Sequence, residues 1–224
     1  MNSEYNVLRE YGLDISFDEY LKVDDSIFEK YAELEAKTNR DYPDTIKCGE
    51  LVDSLFPEKP SGWRSDVAAR ANKAFWDVTT RNLVLRDEAF DSLTALKSMG
   101  VGLGVVSNHH NAKALVDHLA EAGILRYFSH VVASSEMEFR KPDPRIFESS
   151  LSLLGVRKEM AVFVGDSIEY DIEGARSTGM RSILIVDDYE RALPRNGQEA
   201  RGEEFAADFV IRNLAEIPRI LSLL

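Results

Sequence analysis

The 224-residue sequence has a single cysteine, Cys48, which excludes an internal disulfide framework and any zinc site built from several thiolates. One thiol fits a reducing compartment. The opening residues, Met1-Asn2-Ser3-Glu4-Tyr5, are polar and charged, with no apolar signal core behind them. No apolar run approaches the ~18 residues of a membrane helix, so a cytoplasmic protein is expected. Positive charge is also scarce: 27 Lys and Arg stand against 39 Asp and Glu, for a net charge of −12. That field repels nucleic-acid backbones and anionic lipid, so neither nucleic acid nor a membrane is an expected partner. It leaves room for a small anionic ligand, because a few cations and backbone N–H groups can reverse the sign inside one cleft. Internal repeats and low-complexity tracts are absent.

What is present is an ordinary globular composition, 44% hydrophobic and 29% charged, in a chain long enough for an α/β domain and a small accessory one. The first third reads as helical. Tyr5, Leu8 and Tyr11 keep helical spacing up to Gly12, a helix stop. Ser16-Phe17-Asp18-Glu19 has the form of a capping box. Behind it, Tyr20, Leu21, Ile27, Phe28, Tyr31 and Leu34 form an apolar stripe. Further helices are expected near 47–56 and 63–80, with Trp63, Phe75 and Trp76 packing in the core or between domains.

From about residue 86 short apolar strands alternate with helices. Strands are expected at Val101–Val106, Val131–Ala133, Ala161–Val164 and Arg181–Val186, with a fifth at Asp208–Ile211. Helices are expected at Ala89–Ser98, Ala112–Ala122, Pro144–Leu154 and Tyr170–Thr178. This alternation implies parallel pairing through right-handed crossovers, hence a doubly wound, Rossmann-like α/β sheet. Ligands of such sheets bind beyond the carboxyl ends of the strands.

Polar clusters stand at those ends: Ser107-Asn108 after the first strand, Lys141-Pro142-Asp143-Pro144 before a helix, and Gly165-Asp166-Ser167 after the third strand, with Asp171 behind it. Each has a plain structural reading. Ser107 or Asn108 could cap a helix, Lys-Pro-Asp-Pro could be a turn with proline at a helix start, and Asp166 could cap a strand-to-helix turn. Together they place a hydroxyl, a cation and two carboxylates on one rim. Those are parts that phosphoryl transfer needs, and hard oxygen ligands without a His/Cys cluster favour Mg²⁺. His109 and His110 extend the Ser-Asn loop toward the expected cleft; a solvated loop is the favoured reading over a substrate or proton-transfer role, and His118 and His130 read as ordinary helix and strand-edge residues.

Leu103-Gly104-Val105-Val106-Ser107-Asn108, then Ser135-Glu136 with Arg140-Lys141-Pro142-Asp143-Pro144-Arg145-Ile146-Phe147, then Val162-Phe163-Val164-Gly165-Asp166-Ser167 with Asp171 and Gly174-Ala175, resemble motifs two, three and four of the haloacid dehalogenase superfamily. The resemblance spans roughly 86–186. It implies a Rossmann-like core over 86–224 and a helical cap over 1–85. It also implies that Ser107 binds a phosphoryl group with Asn108 beside it, that Lys141 is the catalytic and phosphate-binding cation, and that Asp166 and Asp171 support Mg²⁺. The ligand implied is a small phosphorylated metabolite, and the metal-dependent form of the last motif favours a phosphatase over a dehalogenase.

The family's first motif, an apolar strand ending in Asp-x-Asp that supplies the nucleophile, has no counterpart in these 224 residues. Asp24-Asp25 falls in an expected helix, and Asp41-Tyr42-Pro43-Asp44 has the wrong spacing and no apolar strand ahead of it. The expectation is a sheet lacking its usual first strand and a chain inactive as given. It would be either a truncated or misassigned coding sequence from a lineage of active hydrolases, or a noncatalytic phosphate-binding or regulatory protein. An unusual enzyme and a nucleophile from another chain are the remaining readings. Borrowing a strand from a second copy would make a homodimer.

Overall fold

The computed structural model describes residues 3–186 and 207–224. Four helices come first: α1 (Ser3–Glu10), α2 (Phe17–Thr38), α3 (Asp44–Leu55) and α4 (Ser61–Arg81). The capping box starts α2 as the sequence indicates, with Ser16 Oγ accepting from the Glu19 N–H and the Glu19 carboxylate accepting from the Ser16 N–H. The helix ends at Asn39, whose left-handed φ of 51° is one that asparagine tolerates better than most residues. Tyr20, Ile27 and Tyr31 of α2 join Leu8, Leu51, Val52, Val67 and Ala71 in a core belonging to these four helices alone. Trp63 packs edge-on against Tyr11 and Phe56 at its margin. Phe28 departs from the expected stripe and is 63% exposed. It lies one residue, about 100° of helix, from Ile27, which turns it to the outer face.

The α/β part follows: α5 (Ala89–Ser98), β1 (Gly104–Ser107), α6 (Ala112–Glu121), β2 (His130–Ala133), α7 (Pro144–Leu154), β3 (Val162–Gly165), α8 (Glu173–Thr178), β4 (Arg181–Ile185), β5 (Phe209–Ile211) and α9 (Ile217–Leu221). A single π-type turn, Ile168–Ile172, leads into α8. All strand pairs are parallel. β1 begins three residues later than the apolar run suggests. The Val101 N–H is taken by Leu96 O, which closes the end of α5 and holds the chain away from strand geometry.

Helices cover both faces, as period-two alternation requires. Val162, Val164, Ile183 and Ile211 face Leu96 of α5 and Ile217 of α9. Val106, Val132 and Phe163 face Ile146 and Phe147 of α7 and Ala175 of α8. The strands form two sheets, β1–β2 and β3–β4–β5, and among the described residues β1 and β3 share no ladder. The apolar strands at this break stay half-buried: Val105 and Val106 of β1, and Val162, Phe163 and Val164 of β3. In β4, flanked on both sides, Ser182, Ile183 and Leu184 are buried. The order 2-1 and 3-4-5, broken between β1 and β3, is the doubly wound sheet without its first strand.

Candidate phosphate site at the broken sheet

The structural readings and the functional ones separate once the caps are assigned. The cap of α6 is Asn111, whose side chain accepts from the Ala114 N–H at 3.0 Å. Ser107 and Asn108 therefore lie upstream of the helix start. Asp143 caps α7 by accepting from the Arg145 N–H at 3.0 Å, with Pro144 at the first helical position, which leaves Lys141 outside the cap. In the third cluster the capping group is Ser167, which accepts from the Tyr170 N–H at 3.1 Å.

Lys141 then reaches across the break. Its ammonium donates to Val106 O of β1 at 3.2 Å and to Asp171 Oδ1 at 2.6 Å, and lies 5.4 Å from the centre of the Phe163 ring of β3. Asp171 is buried, and its other oxygen accepts the Asp166 and Ser167 N–H groups at 3.1 and 3.0 Å. A charge-assisted set of this kind holds both the turn after β3 and the lysine. Gly165 is required here, because a Cβ would overlap the Asp171 carboxyl. Gly174 has a matching role, since a Cβ there would strike the Phe147 ring and the Pro142 backbone that follows Lys141.

Asn108 acts on Lys141 as well. Its Oδ1 accepts the Lys141 N–H at 2.7 Å and its Nδ2 donates to Lys141 O at 2.9 Å, a two-point clasp on the main chain. Two expected ligand groups are thus engaged with the protein itself: the Asn108 amide with the lysine backbone, and both Asp171 oxygens with Lys141 and the turn. Among the described residues the Ser107 hydroxyl and the exposed Asp166 carboxylate have no hydrogen-bond or ion-pair partner. Ser107 ends β1 and Asp166 follows β3, and Asn108, Lys141 and Asp171 join these two strand ends through Val106 O and the turn after β3. Their division into holders and open groups was not legible in the sequence.

The donor set bears on Mg²⁺. One open carboxylate, Asp166, fits an ion that keeps most of its water and takes further oxygens from a bound phosphate. It does not fit a tightly held structural ion. A different acidic group, Glu35, Asp41 and His110, places its ligand atoms within 4.8 Å of one another. The Lys47 ammonium already lies there, 3.1 Å from Glu35 Oε1 and 3.2 Å from His110 Nδ1.

That group also corrects the reading of His109 and His110 as a solvated loop. His110 is within 3.2 Å of Asp41 Oδ1, and its carbonyl accepts the Asp44 N–H. Asp41 takes a short hydrogen bond from Ser134. Burial raises the Asp41 pKa, but the hydrogen bonds from His110 and Ser134 outweigh it and hold the carboxyl below its ordinary value. His109 packs against Trp76 of α4, with ring centroids 4.6 Å apart and the planes tilted by 37°. Burial pushes its pKa down, and its Nδ1 accepts the Asn111 N–H. Trp76 is therefore packing between the helical and α/β parts. Sequence spacing gave no signal for these contacts, because they join residues 30 to 100 positions apart. His118 is buried on α6, and His130 bonds the Ser150 hydroxyl at 2.7 Å, both as expected.

The model of the family described as haloacid dehalogenase-like hydrolase matches residues 24–185. The chain belongs to the haloacid dehalogenase-like hydrolases. Within that family it is similar to glyceraldehyde 3-phosphate phosphatase of Methanothermobacter thermautotrophicus, 37% identical over 58% of this chain and 55% of the relative. It is similar to the protein of the same name in Methanopyrus kandleri, 33% identical over 70% of this chain and 66% of the relative. A phosphoserine phosphatase of Thermus thermophilus is 34% identical over 62% of this chain and 55% of its own length. The chain thus spans about half to two-thirds of the curated relatives it matches. In fold it resembles a 2-haloacid dehalogenase from Pseudomonas syringae, with a TM-score of 0.71 at 19% identity over 99% of this chain and 90% of that one. A haloacid dehalogenase-like phosphatase from Thermococcus onnurineus gives a TM-score of 0.55 at 24% identity over 79% and 88%. A haloacid dehalogenase-like fold, an α/β core with a helical part, is what these likenesses share with the present structure.

Proposed function

We propose that these residues form the cap (1–85) and core (86–224) of a Mg²⁺-dependent phosphatase that acts on a small phosphorylated metabolite in the cytoplasm. We further propose that the 224 residues alone bind the phosphoryl group without turning it over. The observation that carries the reading is the Lys141 ammonium, held between the Val106 carbonyl of β1 and Asp171 at the strand ends that also carry Ser107 and Asp166, whose hydroxyl and carboxylate have no partner among the described residues. The phosphatase names of the relatives support the substrate class.

In this reading the Ser107 O–H donates to a phosphoryl oxygen, and Lys141 lends its positive charge to the charge that develops there. Asn108 and Asp171 fix the lysine so that little reorganisation is needed on binding. Mg²⁺, when bound at Asp166, supplies charge neutralisation for the phosphoryl oxygens. Asp166 therefore serves the metal, and Asp171 serves the lysine. No Asp-x-Asp occurs anywhere in the sequence, so no residue here has the expected position of a nucleophile. Loss of such a group costs on the order of a millionfold in turnover. This observation also favours the second reading, a noncatalytic protein that holds a phosphorylated ligand.

The test is Mg²⁺-dependent release of phosphate from a panel of small phosphate monoesters. The 224-residue chain is compared with one extended at its N-terminus by an apolar strand ending in Asp-x-Asp. The reading predicts background rates for the first and metal-dependent hydrolysis for the second. It also predicts a higher Tm, because a four-residue strand pairing with β1 and β3 adds about six backbone hydrogen bonds of about 1 kcal/mol each. Robust hydrolysis by the unextended chain would show that another residue attacks. An extended chain that folds but neither hydrolyses nor gains stability would leave the noncatalytic reading. A dimeric mass for the unextended chain that becomes monomeric on extension would show strand exchange between copies.

A further inference from the structure

Arg140 precedes the lysine of the phosphate site and is held by the helical part at two points. Its N–H donates to Asn39 O, in the left-handed residue that ends α2, at 2.9 Å. Its guanidinium makes a short ion pair with Glu35 Oε2, one turn earlier on α2. Both side chains are largely withdrawn from solvent, 14% and 9% exposed. Glu35 is also the hub of the buried network, with Lys47 at 3.1 Å and His110 at 3.6 Å from its other oxygen. On the opposite side the guanidinium lies 5.9 Å from the centre of the Tyr170 ring, which is the residue before Asp171.

Lys141 therefore sits between two anchors. The Asn108 clasp fixes its own main chain, and Arg140 fixes the residue ahead of it to α2. We propose that Arg140 is a positioning residue through which the helical part controls how Lys141 is presented to a phosphoryl group. This rests on the phosphate reading above. When the Glu35–Arg140 pair is closed, the main chain at 140–141 has bonds from both parts of the molecule. When it opens, the Arg140 N–H bond to Asn39 O, the Asn108 clasp and the Lys141 bonds to Val106 O and Asp171 remain, but the segment loses one of its two holds on α2 and with it a constraint on how the ammonium is presented. Displacements of a few tenths of an ångström matter at such sites, because the gain from a preorganised cation depends on its being in place beforehand.

The sign of one substitution separates this role from the alternatives. Glu35→Gln removes a negative charge near the site. If Arg140 acted only through its charge, freeing it from Glu35 would tighten anion binding. If the pair were only structural, Tm would fall while affinity stayed constant. Positioning predicts about fivefold weaker binding of inorganic phosphate in the presence of Mg²⁺, measured by calorimetry. Lys47→Met is the control: it removes another partner of Glu35 but touches nothing at 140–141, and affinity should stay within twofold of wild type. If Glu35→Gln does not fold, Arg140→Lys replaces it, since it keeps the charge and gives up the planar fork that spans Glu35 and Tyr170. It too should weaken binding about fivefold. Unchanged or tighter binding by either variant overturns the proposal while wild-type binding keeps the phosphate site. Absence of binding by wild type overturns both.

Discussion

The ammonium of Lys141 lies 2.6 Å from Asp171 Oδ1, and this pair joins the loop before α7 to the turn after β3 across the break in the sheet. The two side chains are 12% and 4% exposed. Breaking a buried pair by removing one partner leaves the other without compensation. Lys141→Met should therefore destabilise the fold by about 3 kcal/mol, the low end of the usual range because Asp171 keeps its two N–H donors. Urea denaturation measures this. A change below about 0.5 kcal/mol, the range of an ordinary surface substitution, would show that the pair does not tie the two sheets together.

Two glycines give a contrasted test of the same geometry. A Cβ at Gly165 would overlap the Asp171 carboxyl, while one at Gly49, inside α3, meets nothing within 4 Å. Gly165→Ala should cost about 2 kcal/mol through forced displacement of a packed side chain and should weaken anion binding. Gly49→Ala should stabilise the protein by roughly 0.5–1 kcal/mol, since alanine is the better helix former. Equal melting temperatures for the two variants would mean that Asp171 is not fixed as described.

Acid sensitivity should report the packing of His109 against Trp76. Burial lowers the pKa of His109 from its ordinary value of 6.5 in the folded protein. The unfolded chain then takes up the proton first, so the stability due to the neutral ring is fully present above about pH 6.5 and is lost as pH falls through the lower folded value. His130 is shifted the same way by burial, and the pKa of partly buried Asp44, raised by desolvation, works in the opposite sense at lower pH. The difference between wild type and His109→Phe isolates one group. The variant should lose less stability than wild type between pH 7 and 5, as read from melting curves. Parallel losses would place His109 in solvent.

Much of this structure was legible in the sequence because it depends on local rules. The Ser16–Glu19 box, the alternation of strand and helix after residue 86, and the placing of Ser107 and Asp166 at strand ends all follow from spacing and chain direction. The exposure of Phe28 was missed because a stripe of apolar letters does not fix the helix phase to within one residue. The bonds of Asn108 and Asp171 to the protein itself were missed for another reason. Whether a polar group faces a ligand or a neighbouring main chain depends on turn geometry, which residue type alone does not encode. The Glu35–Arg140 and Asp41–His110 contacts join the helical part to loops 69 to 105 residues away, so no local pattern could announce them.

Calorimetric titration of inorganic phosphate with Mg²⁺ into the wild-type chain, and into Lys141→Ala and Asp166→Asn, tests the central claim most directly. The account predicts weak, Mg²⁺-dependent binding by wild type, in the high micromolar to millimolar range that corresponds to roughly 4–6 kcal/mol. It predicts at least tenfold loss in Lys141→Ala, and in Asp166→Asn binding that no longer responds to Mg²⁺. Equal phosphate affinity in wild type and Lys141→Ala would contradict it, because the cation at the break between β1 and β3 would then have no part in holding the anion.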